Sequence, residues 1–205
     1  MEDESKLIRQ FESQFTKQWV KVLEAESDRG TVLVSIAMLD KIIENRLISI
    51  LSKGNSKAKD RLLRPPLGAL SGFSSKVDFL YCSGLLPETM YRDIQLLNKL
   101  RNKCAHGWEH FEMTVEVFEK YVKPMFMARG LVAADEQLKK NEDLEGLQIL
   151  EGKDASEQFK MVMAGLISSF SIITSFVTLE CVDGKTGAIQ AQTKPSNFGG
   201  PNPLA

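Results

Sequence analysis

The sequence predicts an all-α protein: an up-and-down bundle of about five to seven helices over residues 1–182, followed by a disordered, flexible tail over 183–205. Three observations carry this. Apolar residues recur every three to four positions almost throughout, the period of a helix with one buried face. No alternating apolar and polar run is long enough for a strand hairpin. From Asp183 the composition turns to Gly, Pro, Gln, Asn and Thr without any apolar period, which leaves too little to bury.

The helices follow in order. Leu7, Phe11, Phe15, Trp19 and Val22 share one face of a helix from Glu4 to Glu26. Ser27, Asp28 and Gly30 interrupt it, and Asp28 is placed to cap the next helix. From Thr31 to Leu51 apolar residues cover nearly every side, as expected at the centre of a bundle. Gly54 to Gly72 is a long connection around Pro65–Pro66, with room for one short helix. Ser74 or Ser75 caps a helix carrying Val77, Leu80 and Tyr81, which Gly84 stops. Pro87 suits the first position of the following helix, where its missing N–H costs nothing. That helix buries Met90, Ile94, Leu97, Leu100 and Cys104 and stops at Gly107. Thr114 to Met127 makes another, limited or kinked by Pro124. The charged residues 128–153 hold at most a short helix, and Asp154 to Cys181 forms the last long one.

A chain of 205 residues can bury a core without disulfides. Its three cysteines, at irregular spacing, fit a reducing compartment, so a cytoplasmic location is expected. Lys and Arg total 26 against 27 Asp and Glu, which excludes a globally basic coat for nucleic acid but not a local patch. Met161 to Leu179 is free of charge for 19 residues, close to a spanning length. Ser168, Ser171, Ser175 and Thr178 nevertheless draw a hydroxyl stripe along it, so a bundle helix is expected and no membrane contact.

The chemistry concentrates in Asn98-Lys-Leu-Arg-Asn-Lys-Cys-Ala-His-Gly107. Gln95, Asn98, Asn102 and His106 recur at helical spacing as an amide stripe ending in an imidazole. Arg101 offers a planar fork for phosphate oxygens, and His106 can move a proton near neutral pH. Together they could cleave RNA without metal. His106 would take the ribose 2′-OH proton while Arg101 stabilised the phosphorane. The bland alternative pairs Arg101 with a carboxylate and lets His106 end the helix, where partial positive charge suits the dipole. Five residues apart, the two lie roughly 140° apart on an ideal helix. They converge only if the helix loosens before Gly107 or if two chains bring their ends together.

Asp40 and Glu44 share one face of the apolar helix and need partners, with Arg101, Lys99, Asn102 or Arg46 as candidates. These two acids and Lys99 are the expected binding residues outside the Arg101–His106 segment. Cys104, His106 and His110 match no common zinc spacing, and Cys104 belongs to the inner face. No metal and no other cofactor is expected. Lys53, Lys57, Lys59, Arg61 and Arg64 make the connection basic, either as the border of a phosphate groove near Arg101 or as a solvated loop. Neither a helix-turn-helix nor a Gly-rich phosphate loop is legible.

Several stretches together resemble the mannitol operon repressor family and its broader relatives. They are Arg29-Gly30 through Leu39-Asp40 and Glu44, then Leu67-Gly-Ala-Leu-Ser-Gly-Phe, Lys76, Leu80-Tyr81, Gly84-Leu85, and Leu100-Arg-Asn-Lys-Cys-Ala-His106. The resemblance spans residues 28–125. It implies an all-helical regulator that represses transcription through protein partners, among them the phosphotransferase carrier protein, rather than through its own DNA-binding motif. Arg101 to His106 also resembles the Arg-x4–6-His signature of HEPN domains, many of which are metal-independent endoribonucleases acting as toxins. That likeness implies a homodimer whose cleft holds Arg101 on the phosphate and His106 as acid and base, with Asn102 at the polar position after the arginine. RNA is then the partner. A regulator, a nuclease and a noncatalytic nucleotide or RNA binder are the function classes left open.

Overall fold

A computed structural model describes residues 16–51, 55–106, 111–139, 150–176, 178–180 and 190–192. Residues 16–24 form helix α1, whose Leu23 is fully buried. Helix α2, Asp28–Ile50, follows. The hydroxyl of Ser27, not the Asp28 carboxylate, accepts the Gly30 N–H at its start. Two good capping residues stand side by side there, and the earlier one takes the role. Asp28 then becomes free to bind elsewhere.

Helix α3, Ser56–Leu63, lies within the long connection and buries no residue. Helix α4, Phe73–Cys82, starts ahead of the serines expected to cap it, because Gly72 occupies the cap position. Its other end shows why Gly84 stops it. The Leu85 N–H reaches Leu80 O and the Gly84 N–H reaches Tyr81 O, both at 2.9 Å, with Gly84 at a φ of 70°. This paired closure needs a left-handed residue, which glycine supplies without steric cost.

Helix α5, Glu88–His106, begins one residue after Pro87, whose carbonyl accepts from the Tyr91 N–H. Thr114 caps α6, Val115–Val117, which opens into a π-helical turn, Phe118–Val122. Instead of one helix to Met127, the chain breaks at Pro124 and resumes as α7, Phe126–Lys139. Helix α8, Ala155–Phe176, starts from a reciprocal box: Asp154 Oδ1 accepts the Glu157 N–H and Glu157 Oε2 accepts the Asp154 N–H. It ends before the expected Cys181. Strands β1, Thr178–Glu180, and β2, Gln190–Gln192, then pair antiparallel, with Thr178 opposite Gln192. Three residues each are too few for a periodicity signal. The rest of the expected tail, 183–189 and 193–205, lies outside the described residues.

The architecture is all-α as expected, with eight helices among the described residues rather than five to seven. The excess comes from α3 and from the break at Pro124. Helix α2 is central, in contact with α4, α5 and α8. Val32, Leu39, Ile43 and Leu47 from α2 meet Leu97 and Leu100 from α5 and Phe159, Ile167 and Phe170 from α8 in one buried cluster. Leu33 and Ile48 on α2 stay exposed, so its apolar circumference is not fully covered. No helix among the described residues is long and apolar enough to cross a membrane. On α8, Ser168 and Ser171 turn their hydroxyls back to the carbonyls of Ala164 and Ile167, which satisfies them inside the bundle.

Asp28 ties the start of the bundle together. Its Oδ2 accepts the Met113 N–H at 2.6 Å and its Oδ1 accepts from the Ser156 hydroxyl, so one carboxylate joins α2, the segment leading to α6, and α8. On the opposite flank Asp93 of α5 is 2% exposed and accepts the N–H groups of Phe126 at 2.7 Å and Met127 at 3.0 Å. A side chain from another helix thus caps α7, whose own leading residues offer no acceptor.

Candidate functional site

Helix α5 has two faces. Ile94, Leu97, Leu100 and Cys104 are buried, while Lys99, Arg101, Asn102 and Lys103 are exposed and Gln95 and Asn98 half-buried. The amide stripe read from the sequence is therefore a surface stripe. Asn98 reaches the Ser74 hydroxyl of α4 at 3.5 Å, a marginal bond. Arg101 makes no ion pair among the described residues, so the neighbouring-carboxylate alternative does not hold for it there.

Helix α5 stays α-helical through His106. The loosening that would let Arg101 and His106 meet on one chain does not occur, and their positions remain roughly 140° apart around the axis. The His106 side chain and His110 lie outside the described residues.

The end of α5 is held by Arg29, whose Nη2 donates to Cys104 O at 2.7 Å. This satisfies one of the carbonyls that a helix C-terminus leaves unpaired. Burial pushes the Cys104 thiol up to about 11, so it stays protonated and inert at neutral pH. Nearby, the Nζ atoms of Lys103 and Lys120 lie 5.8 and 5.5 Å from the ring centroid of Tyr121 in the π-helical turn. Cations thus line this surface around an aromatic ring. An open cleft of about 390 Å³ lies beside the start of α2, between Asp28, Phe111, Met113, Thr114, Ser156 and Lys160.

Asp40 and Glu44 find a partner that the sequence did not single out for them. Lys76 of α4, 2% exposed, donates to Asp40 Oδ1 and Glu44 Oε2, both at 2.9 Å. None of Arg101, Lys99, Asn102 and Arg46 fills that role. Hydrogen bonding from Lys76 is the largest influence on Glu44 and holds its carboxyl below the ordinary value, with burial opposing. Burial pulls the Lys76 ammonium down, but the bonds and charges of Glu44 and Asp40 outweigh it and leave it raised. The trio is a structural clamp between α2 and α4, and Lys99 takes no part in it. Arg46 is 9% exposed with Nη2 lacking a hydrogen-bond partner, and burial lowers its pKa.

The basic connection is divided as well. Lys59 donates to Ile48 O at 3.3 Å, at the other end of α2 from Arg29 and the α5 terminus. Lys59 therefore does not border a groove at Arg101. Among the described residues no group of three or more His, Cys, Asp or Glu could hold a metal ion.

No protein-family model matches the sequence, and neither does any curated protein. A solved structure does: the X-ray structure of the MtlR–HPr complex from Escherichia coli, with a TM-score of 0.56, 20% identity, and coverage of 77% of this chain and 99% of that one. The fold is MtlR-like. In this fold helix α5 turns its amide and arginine face outward.

Proposed function

We propose that this chain is a cytoplasmic regulatory protein of the mannitol-repressor type, which controls transcription by binding a protein partner. The observation that carries the reading is the MtlR-like fold, matched to a chain solved as an MtlR–HPr complex. The partner is accordingly a phosphotransferase carrier protein of the HPr kind; that the regulator is a homodimer rests instead on the HEPN-like Arg101–His106 segment. Titrating the purified carrier from the same organism into the full chain, unphosphorylated and phosphorylated, is expected to give saturable heat with at least one form. No heat with either form would overturn the carrier as partner. Pure protein alone is expected to shift no operator DNA, and a sequence-specific shift would end the partner-only reading.

A second reading, a HEPN-type endoribonuclease, is favoured by one observation: Arg101 and Asn102 are exposed, with Arg101 unpaired among the described residues. His106 would accept the 2′-OH proton, the 2′-oxygen would attack phosphorus, and the 5′-oxygen would leave as its bond to phosphorus breaks, taking a proton from the His106 imidazolium and giving a 2′,3′-cyclic phosphate. Arg101 would hold the charge on the phosphorane. With EDTA present, RNA cleavage to cyclic ends should fall about 100-fold or more in H106A, the usual worth of a general base, with the melting temperature unchanged. RNA left intact by wild-type protein from mildly acidic to mildly basic pH would rule the nuclease out. Asp40 and Glu44, held by Lys76, and Lys99 on the α5 surface are proposed to support a partner-binding face rather than chemistry.

A further inference from the structure

Residues 56–72 contain four leucines, and the structure uses them unequally. Leu63 and Leu70 pack against the core cluster, Leu62 is 37% exposed, and Leu67 is 94% exposed. The loop that carries Leu67 is closed on itself. The Gly68 N–H donates to Arg64 O at 3.0 Å, the Leu70 N–H to Leu62 O at 2.8 Å, and the Ser71 N–H to Gly68 O at 3.0 Å. A Cβ at Gly68 would sit 2.4 Å from Leu62 O, so only glycine lets the two arms approach this closely. Pro65, Pro66 and Leu67 therefore stand at a preformed convex tip.

The helix leading to that tip is basic on one side. Lys57 and Arg61 lie one turn apart on α3, Arg64 follows as its extended cap residue, and all three are exposed. Lys59 points elsewhere, to the Ile48 carbonyl, and Asp60, three residues after Lys57 and four before Arg64, is the one acid beside this row. A row of cations thus flanks an apolar point that is almost fully exposed.

We propose that the Pro65–Leu67 tip and the Lys57, Arg61 and Arg64 row form a peripheral docking surface for an anionic phospholipid bilayer. The cations meet the headgroup phosphates and Leu67 enters the acyl boundary. No helix among the described residues is long and apolar enough to span a membrane, and a surface contact needs none. A protein partner fits this unit less well: Arg61 and Arg64 are of a type enriched at interfaces, but residues 56–72 hold no Trp or Tyr to anchor one, and leucine is uncommon among hot spots. Single-stranded RNA fits less well too, since residues 56–72 hold no aromatic ring on which a base could stack.

The test is cosedimentation of the full chain with vesicles of equimolar phosphatidylglycerol and phosphatidylcholine, against phosphatidylcholine alone. Wild type is expected to sediment with the anionic vesicles at low salt, to be released by high salt, and to ignore the neutral ones. L67A and the R61E/R64E double variant should each weaken partitioning about 10-fold or more while keeping the wild-type melting temperature, because these side chains are exposed. Absence of sedimentation with anionic vesicles overturns the proposal, as does sedimentation that neither variant alters. Single-stranded RNA captured by wild type and lost in both variants, with vesicles ignored, would reassign the surface to RNA and overturn it equally.

Discussion

Replacing Lys76 with alanine should destabilise the protein by about 2–3 kcal/mol, the range for breaking a buried ion pair reduced for its partly exposed acids. Lys76 is 2% exposed and its partners Asp40 and Glu44 about a third exposed, so the variant leaves two carboxylates one turn apart with only the exposed Lys41, 3.7 Å from Glu44, as a counter-charge. For a chain of this length the melting temperature should fall by roughly 5–10 °C. The pH signature is more telling. Glu44 is held below its ordinary value of 4.5, so its contribution is present above that value and is lost as pH falls through the lower, folded one. Lys76 is raised above 10.5, so its contribution is complete below that pH and is lost only as pH climbs through the raised value. The cost of K76A should therefore be largest at neutral pH and shrink in acid. Adding D40N and E44Q to a Lys76→Met background should recover most of the loss. Chemical denaturation across pH measures all of this, and a K76A midpoint equal to wild type at neutral pH would refute the clamp.

Asp93→Ala should cost about 2–4 kcal/mol, because the Phe126 and Met127 N–H groups lose their acceptors in a buried place. Asp93→Asn keeps one acceptor oxygen and should cost less than half as much. Here the pH dependence has the opposite sign. Burial raises the Asp93 carboxyl above 3.8 despite the two backbone donors, so its ionisation is disfavoured in the folded state. Its contribution is greatest in acid and declines as pH rises through the raised value. Since asparagine does not pay that decline, the cost of D93N should be greater in acid than at neutral pH. The two acids thus give opposite slopes in one titration range, which separates a paired surface carboxylate from a buried capping one. Equal slopes for K76A and D93N would contradict the assignment.

The helices themselves were legible because burial imposes a period on the chain. Leu97, Leu100 and Cys104 were expected inside and are inside. Capping was less legible, since Ser27 and Asp28 are both good caps and only the pull of Met113 and Ser156 on Asp28 decides between them. Thr114 to Met127 read as one helix because Pro124 can kink as well as break, and nothing local signals a π-helical turn at Phe118–Val122. The Lys76 clamp and the Asp93 cap join residues more than thirty positions apart, beyond any local pattern. One trace of the clamp was present: Lys76 is a lone cation on the face of α4 that carries Val77 and Leu80. The exposure of Arg101 and Asn102 was implicit in the buried spacing of their neighbours. The disposition of His106 depended on whether α5 held its winding to the end.

That winding has a consequence for kinetics. Because α5 runs unbroken through His106, positions 101 and 106 lie roughly 140° apart around its axis, and in the nuclease reading their joint action calls for a second chain. The cleavage rate would then rise with the square of protein concentration while dimers are scarce, and only linearly once they saturate. The cell's level of the protein would itself set a threshold, with no separate inhibitor, and a dilution series in an RNA assay would display it as a change of reaction order.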